Sequence, residues 1–508
     1  MFVTLLQKAL TNSNNISITE NGAIGYSTTG QKILDLNFKV PFLRGLCSEE
    51  LVNEFVEAYL EEPVVATIWL FYARDIREGL GERKIFRACL PFIASKLPKD
   101  KIKDFIQIIP EYGRYDDLFV LLENGYKTQV IDFIKEQLRV DMINCQNNKP
   151  ISLLAKWLKS ENTSSKDSRR LAHIIRESLD LSHKAYRKLL SHLRNYLDIT
   201  EVKMSANKFS EIDYEKVPSR ASLLYKDAFQ RRDRERYNSF IESANKGEVK
   251  INASVLYPHE IVAKYRKEYK ENLSLEALWK NLPNLVKNDS KTLVVADGSG
   301  SMTCTFPVSK SNVQALDIAN GLALYFAQRA KGPYRNTYIT FSQHPQFVRV
   351  GSGSLYRDLQ IALKHDEVAN TNIEGVFQLI LNTALENKVS QEDLPDNILI
   401  ISDMEFDACA CCNEYSYPRT GALNEALFDS IKKRFEYNGY KMPRLIFWNV
   451  NSRTNTIPVR ENELGVSLVS GFSVNILKMV FNNELDPFMN LLQVLFTKRY
   501  ERVLELFN

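Results

Sequence analysis

Residues 294–302, VVADGSGSM, join an apolar run to a loop that carries one carboxylate and two hydroxyls. Asp297, Ser299 and Ser301 alternate with glycines, which allow the backbone to turn sharply. Oxygen atoms on alternating residues of a tight loop can converge on one hard cation, and Mg²⁺ accepts a few carboxylates together with hydroxyls and waters. The alternative is a strand-to-helix turn whose serines cap the next helix. The pentapeptide by itself leaves both interpretations open.

Two later segments place further oxygen-bearing side chains at the ends of predicted elements. Thr371 lies in NTNIEGVF, just before a predicted helix, and Asp403 follows the apolar run NILIIS. In open α/β sheets, ligands bind at the carboxyl ends of the strands. We therefore expect Thr371 and Asp403 to meet the Asp297 loop around one divalent cation, Mg²⁺ or a similar ion such as Mn²⁺.

In this order and context, the five side chains resemble the metal-ion-dependent adhesion site of a von Willebrand factor A domain. The resemblance implies that Ser299 and Ser301 bind Mg²⁺ through their hydroxyls and that Thr371 binds directly or through water. It also implies that Asp297 and Asp403 act mainly through bound waters. One coordination position then stays open for an acidic group of a partner, and the metal performs no bond chemistry.

Enzyme motifs match the same loop poorly. A haloacid-dehalogenase phosphatase needs a second aspartate where Ser299 stands, and a G-x-S-x-G elbow needs glycine where Asp297 stands. No G-x-x-x-x-G-K-[ST] phosphate loop occurs. Cys409, Cys411 and Cys412 lack the spacing and the second ligand pair of a zinc site, so free thiols are the simpler interpretation. We expect a protein that is not an enzyme.

The 508-residue chain is too long for one core and predicts two or three domains. Residues 1–285 show helical periodicity, whereas residues 286–508 alternate apolar strands with helices. We expect an α-helical, HEAT-like repeat domain and then a Rossmann-like α/β domain with a parallel or mostly parallel sheet. A net charge of +4, seven cysteines and the lack of a long apolar run predict a soluble, cytoplasmic protein.

Basic residues concentrate in three segments of the helical half. Such clusters favour RNA binding, because neutralising backbone phosphates releases counterions, and interleaved tyrosines can stack on unpaired bases. Acidic neighbours leave open the alternative that internal ion pairs use these charges. The residues that we expect to bind RNA are Arg74, Arg77, Arg83, Lys84, Arg87, Arg169, Arg170, Lys184, Arg187, Lys188, Arg231, Arg232 and Arg234.

The segment IPEYGRYDDLFVLL, residues 109–122, places two aspartates between a Gly-Arg pair and an apolar run. Aspartate is a preferred residue at the start of a helix, where it accepts hydrogen bonds from free backbone N–H groups. We expect Asp116 or Asp117 to cap a helix and Arg114 to pair with one of them.

The predicted domain order resembles that of the TROVE family, in which HEAT-like repeats form a ring closed by a von Willebrand factor A domain. The phrases RDIREGLGER, GRYDDL, LLAKWLKSENTSS, KVPSRA and ISDMEFD resemble a sister family with the same order more closely. The resemblance implies a non-catalytic ribonucleoprotein that binds small structured RNAs or the single-stranded ends of misfolded RNAs. The alternative is a protein-interaction scaffold whose Mg²⁺ coordinates an acidic residue of a partner protein.

Overall fold

A computed structural model describes residues 16–286, 291–303, 313–342, 344–367, 372–407, 427–454, 456–458, 465–480 and 484–507. The strands within these ranges are β1 Ile16–Ile18, β2 Ile24–Tyr26, β3 Thr292–Asp297, β4 Thr337–Phe341, β5 Gln346–Arg349, β6 Asn397–Ser402, β7 Arg444–Asn449 and β8 Val466–Ser470. The α-helices before residue 256 are α1 Lys32–Phe38, α2 Val40–Gly45, α3 Ser48–Glu61, α4 Pro63–Arg74, α5 Arg83–Lys96, α6 Ile102–Tyr112, α7 Phe119–Glu123, α8 Lys127–Gln146, α9 Leu154–Trp157, α10 Lys166–Ser178, α11 His183–Tyr196, α12 Thr200–Ser205, α13 Ser219–Arg232 and α14 Arg234–Lys246. Those after it are α15 Pro258–Glu268, α16 Leu273–Lys280, α17 Ala315–Arg329, α18 Leu355–Lys364, α19 Ile373–Glu386, α20 Leu427–Tyr437, α21 Leu477–Val480, α22 Pro487–Leu495 and α23 Glu501–Leu504.

The described residues form two compact units, and neither unit is one continuous segment. The α/β unit contains residues up to 65 and residues 256–495, and the helical unit contains residues 66–255 and those from 496 onward. The sequence predicted a single boundary near residue 285. In the structure the chain instead passes between the units three times, because segments on both sides of that boundary pack on the sheet.

The α/β unit is built on a six-stranded sheet with the strand order β5-β4-β3-β6-β7-β8. Each neighbouring pair is parallel except β4 and β5, which form an antiparallel hairpin. All six residues of β3 are buried, as are the last five of β6 and of β7. Strands covered on both faces are apolar throughout, which is the pattern seen in TLVVAD and NILIIS. The predicted mostly parallel sheet is confirmed.

The N-terminal segment belongs to the α/β unit, which the sequence did not indicate. Tyr26 of β2 exchanges two backbone hydrogen bonds with Ile457, at 2.8 and 2.7 Å. Helix α1 packs on β8, and the Asn449 side chain donates a 3.0 Å hydrogen bond to the Phe38 carbonyl. The apolar face of α1 is buried by these contacts.

Helices α15 and α16 also belong to the α/β unit. Arg266 of α15 donates two hydrogen bonds, of 2.7 and 2.8 Å, to the carboxylate of Asp317 in α17. Glu276 of α16 accepts hydrogen bonds from the first two backbone N–H groups of α18, at 3.0 and 3.1 Å. A helical period shows that such helices bury one face, but it does not show which neighbour covers that face.

The helical unit packs around an aromatic core. The ring of Phe71 makes edge-to-face contacts with Phe86 at 5.3 Å and with Tyr112 at 5.1 Å. Tyr112 stacks on Tyr500 at 5.6 Å, and Arg499 donates a 2.7 Å hydrogen bond to Asp75. The last residues of the chain are therefore part of this unit, and the mostly helical character predicted for the N-terminal half is confirmed.

Candidate functional site

The sheet brings four of the predicted metal-binding residues, Asp297, Ser299, Ser301 and Asp403, to one edge. Strands β3 and β6 are parallel neighbours, with Ala296 opposite Ile401. Asp297 is the last residue of β3, and Asp403 comes directly after the last residue of β6. Ser299 and Ser301 follow in the loop after β3, in the place where a ligand would contact the carboxyl ends of both strands.

Short hydrogen bonds fix the loop around Asp297. One oxygen of this carboxylate accepts from the Ser299 backbone N–H at 2.9 Å, and the other accepts from the Ser402 hydroxyl at 2.6 Å. The hydroxyl oxygens of Ser299 and Ser301 lie 3.1 Å apart. Asp297 and Ser299 are buried, with 1% and 0% of their surface exposed. Two hydroxyls and a carboxylate are thus held together before any ligand arrives.

The second carboxylate, Asp403, has a buried oxygen that accepts no hydrogen bond from a described residue. Asp403 is 0% exposed, and its Oδ2 atom accepts no hydrogen bond from any described residue. The nearby cationic group of Arg453 remains 3.7 Å from that atom. An ionised carboxylate that is buried without a partner destabilises a fold unless a cation or a proton neutralises it.

Burial acts on the protonation of both carboxylates. Burial raises the pKa of Asp297 to about 6, although hydrogen bonds from Ser299 and Ser402 oppose the change. Burial, together with the negative charge of Asp297, raises the pKa of Asp403 to about 7, and a hydrogen bond with Ser301 opposes it. The two acids therefore repel each other across a space lined by hydroxyls, which is the donor set that a small hard cation prefers.

A third carboxylate, Asp366, lies beside the loop and was missed by the sequence analysis. Its carboxylate accepts a 2.8 Å hydrogen bond from Asn320, and burial together with the charge of Asp297 raises its pKa to about 7. A Cβ atom added at Gly298 would lie 2.8 Å from the Thr340 hydroxyl and 3.3 Å from an Asp366 oxygen. Asp366 lies two residues after the end of α18, outside any regular element, so no pattern in the sequence identified it.

Four residues that the sequence analysis considered as metal ligands lie outside the described residues. They are Thr371, Cys409, Cys411 and Cys412. Within the described ranges, no three or more His, Cys, Asp and Glu side chains are arranged to hold a metal ion. Asp366 thus does not complete a three-carboxylate cage with Asp297 and Asp403. A cation at this edge depends on hydroxyl ligands as well as carboxylates.

The structure divides the predicted RNA-binding residues into two groups. Internal carboxylates hold Arg74 and Arg87, which pair with Asp117, and Arg170, which pairs with Glu123. Lys84 is half-buried. The remaining side chains are exposed, and none forms an ion pair with a described carboxylate; they are Arg77, Arg83, Arg169, Lys184, Arg187, Lys188, Arg231, Arg232 and Arg234. Arg74, Arg87 and Arg170 therefore do form internal ion pairs, and their contact with RNA stays a prediction.

The segment GRYDDL forms the predicted ion pair. The Arg114 guanidinium binds both oxygens of Asp116, at 2.9 and 3.0 Å. Asp117 accepts a 2.9 Å hydrogen bond from the Arg114 backbone N–H at the start of the short 3₁₀ helix Tyr115–Leu118. The ion pair is confirmed, whereas the N-cap residue is Arg114, and Asp117 binds its N–H from the third position of the helix.

Comparisons with known proteins give similarity but no assigned activity. Residues 124–296 match a domain of unknown function, DUF2828, and residues 291–490 match another, DUF7788. An uncharacterised protein of Acanthamoeba polyphaga mimivirus is 28% identical over 95% of this chain and 87% of its own length. The crystal structure of the Deinococcus radiodurans Ro (RSR) protein matches with a TM-score of 0.43 and 14% identity, over 87% of this chain and 92% of that one. A likeness at that level carries no conclusion about function.

None of the described helices combines the length and apolar composition needed to cross a membrane.

Proposed function

We propose that this protein is a non-catalytic RNA-binding protein whose α/β unit holds a divalent cation. The observation that carries the RNA proposal is helix α11, HKAYRKLLSHLRNY, which contains no acidic residue. Its apolar face is buried, whereas Lys184, Arg187 and Lys188 are exposed and form no ion pair with a described carboxylate. Cations of an acid-free helix that form no ion pair attract a phosphate backbone, because no partner neutralises their charge.

Binding of a structured and a single-stranded RNA at several salt concentrations tests this proposal. Each phosphate contact to a single strand contributes about 0.7 to the slope of log affinity against log salt. We expect the double variant Arg187→Gln/Lys188→Gln to bind more weakly and to lower that slope by about 1.4. The matched control is Lys208→Gln/Lys216→Gln, since both lysines already pair with an acid three residues away. No binding, or binding that is insensitive to salt, would reject the proposal.

The cation proposal is supported by the unpartnered oxygen of Asp403 and by the pair of hydroxyls close to it. Ser299, Ser301, Asp297 and Asp403 would hold the ion, with Thr371 added by the resemblance to an adhesion site. Mg²⁺ or Mn²⁺ would supply a fixed positive charge that neutralises the two acids, without any bond chemistry. Calorimetric titration with Mg²⁺ and Mn²⁺ tests this, and wild-type binding equal to that of Asp297→Ala would reject it.

The second candidate function is a protein-interaction scaffold. The two carboxylates balance the charge of a divalent cation, so the occupied site has no net negative charge. A third carboxylate, from a partner protein, would therefore not be repelled from the cation. This function predicts that binding of an acidic partner protein is lost when the cation is chelated and in the variant Asp297→Ala. RNA binding through α11 should be retained in both cases. Loss of RNA binding in Asp297→Ala, with normal folding, would contradict this separation of the two sites.

A further inference from the structure

Three sequence segments with distinctive motifs converge at one place in the helical unit. They are the basic segment FYARDIREGLGERKIFR, residues 71–87, together with GRYDDL and LLAKWLKSENTSS. Together they form what we call the basic cluster, which surrounds two carboxylates with four cations. Its members are Asp116, Asp117, Arg74, Arg87, Arg114 and Lys159.

The inner half of the basic cluster is closed. Asp117 is 0% exposed, and Arg74 lies 2.8 Å from one of its oxygens while being 5% exposed itself. Arg87 approaches the other oxygen of Asp117 at 2.5 Å. Burial alone would raise the pKa of Asp117, but Arg74 and Arg87 hold it below its usual range. This carboxylate is therefore ionised and fully used by its two arginines.

The outer half of the basic cluster has more cations than acceptors. Asp116 alone faces Arg114 at 2.9 Å, Arg87 at 3.1 Å and Lys159 at 3.8 Å. These three cations are 28–30% exposed, so solvent and ligands reach them. Since four cations surround two carboxylates, the basic cluster has a net charge of 4 − 2 = +2.

One donor in the outer half lacks an acceptor. The Nη2 atom of Arg87 is buried and donates no hydrogen bond to any described residue, although it lies 3.1 Å from Asp116. At that distance the atom attracts the carboxylate but does not point at it with hydrogen-bonding geometry. A buried N–H group without an acceptor is unfavourable, so the pairing of Arg87 with Asp116 is incomplete, while the rest of the Arg87 side chain, 29% exposed, stays accessible.

The scaffold holds the outer cations in place. The Arg114 guanidinium stacks on the Trp157 ring at 4.0 Å. Arg194 donates to the carbonyls of Ala155 in α9 and of Leu158 just after it, and the Tyr186 hydroxyl donates to the Lys159 carbonyl at 2.8 Å. A site whose groups are already ordered loses less conformational entropy when a ligand binds.

We propose that the basic cluster binds a phosphate group, with Arg87, Arg114 and Lys159 as its ligands. A phosphate offers several acceptor oxygens and a charge that balances the cluster, and guanidinium groups bind such anions through paired hydrogen bonds. This inference deepens the proposed RNA-binding function, in which the phosphate belongs to the strand. The other possible source of the same chemistry is a free phosphate compound.

Lys159→Gln tests the basic cluster with pyrophosphate as the probe. Lys159 makes no hydrogen bond to Asp116 at 3.8 Å, so its replacement leaves the inner ion pairs intact. We expect pyrophosphate affinity, measured by calorimetry, to fall about tenfold, as for the loss of one charge-assisted hydrogen bond. The control Lys246→Gln removes the same charge from the end of α14 and should bind as the wild type does. If the wild type does not bind pyrophosphate, or if Lys159→Gln binds it equally well, the inference is wrong.

Binding experiments with RNA identify the source of the phosphate. One RNA is prepared with a 5′-phosphate and with a 5′-hydroxyl, and each form is titrated against wild type, Lys159→Gln and Arg187→Gln/Lys188→Gln. Weaker RNA binding by Lys159→Gln assigns the phosphate to the strand, and unchanged RNA binding with weaker pyrophosphate binding assigns it to a free compound. If no RNA binds but pyrophosphate does, the RNA function fails and the basic cluster stands. If only the α11 variant changes RNA binding and pyrophosphate does not bind, the basic cluster fails and the RNA function stands.

Discussion

Replacing Asp403 by asparagine should stabilise the metal-free α/β unit while removing its response to Mg²⁺. Burial and Asp297 raise the pKa of Asp403 from 3.8 to about 7. At about 1.4 kcal/mol for each pKa unit, keeping Asp403 ionised destabilises the folded state by about 4 kcal/mol. The asparagine amide would keep one oxygen and carry no charge, so we expect Asp403→Asn to recover about 2 kcal/mol or more at pH 8.

The pH dependence of this effect has a definite sign. Since the folded-state pKa of Asp403 lies above its unfolded value of 3.8, the folded protein binds more protons between pH 4 and 7. The free energy of unfolding of the metal-free wild type therefore falls as the pH rises through this range, and Asp403→Asn should reduce that fall. Hydrogen exchange of the β3 and β6 amides measures the effect within the α/β unit.

Mg²⁺ should reverse the order of stability. At a concentration of about one thousand times its dissociation constant, a ligand stabilises the folded state by about 4.1 kcal/mol, and only the wild type should gain this. The control is Asp358→Asn, since buried Asp358 accepts hydrogen bonds from Ser352 at 2.8 Å and Gln328 at 2.7 Å. Asp358→Asn should destabilise with and without Mg²⁺. If Asp403→Asn behaves in the same way as that control, the cation site does not exist.

Other substitutions test the remaining structural claims. Asp117→Ala leaves buried Arg74 without its carboxylate and should cost about 3–5 kcal/mol in urea unfolding; a smaller loss would mean that the pair is solvated. Because Arg74 and Arg87 keep the pKa of Asp117 low, the helical unit should lose stability only below about pH 4, as far-UV circular dichroism would show. Glu276→Gln weakens the cap of α18 and should cost about 1–2 kcal/mol, and unchanged hydrogen exchange in α18 would contradict this. Gly298→Ala forces a Cβ atom to within 2.8 Å of a hydroxyl; it should destabilise the loop by about 1–3 kcal/mol and abolish Mg²⁺ binding, and retained Mg²⁺ affinity would show that the loop adapts.

The sequence predicted the sheet and the meeting of its loop residues for a simple reason. Continuous apolar runs that alternate with helices indicate parallel strands, and parallel strands end at one edge. Asp297 and Asp403 each follow such a run, and they lie together because β3 and β6 are neighbours. This neighbour relation was not evident from the chain order, in which β4 and β5 lie between them.

Other features could not be found because they depend on long-range packing. Asp366 reaches the site from a turn that carries no pattern, and only the fold places it beside Gly298. In the same way, GRYDDL predicted the pairing of Arg114 with an aspartate. It did not predict that Arg74, from another helix, pairs with Asp117. Local spacing identifies caps and adjacent pairs, whereas charge networks between helices require coordinates.

The interleaved path of the chain affects how the protein must be synthesised. The Ser470 hydroxyl donates a hydrogen bond to the carbonyl of Asn37, 433 residues earlier in the chain. At a translation rate of about 5–20 residues per second, helix α1 waits on the order of 20–90 s before the strand that covers it has been made. Its apolar face is exposed on the ribosome for that time, so nascent chains should be a target for chaperones that bind hydrophobic segments.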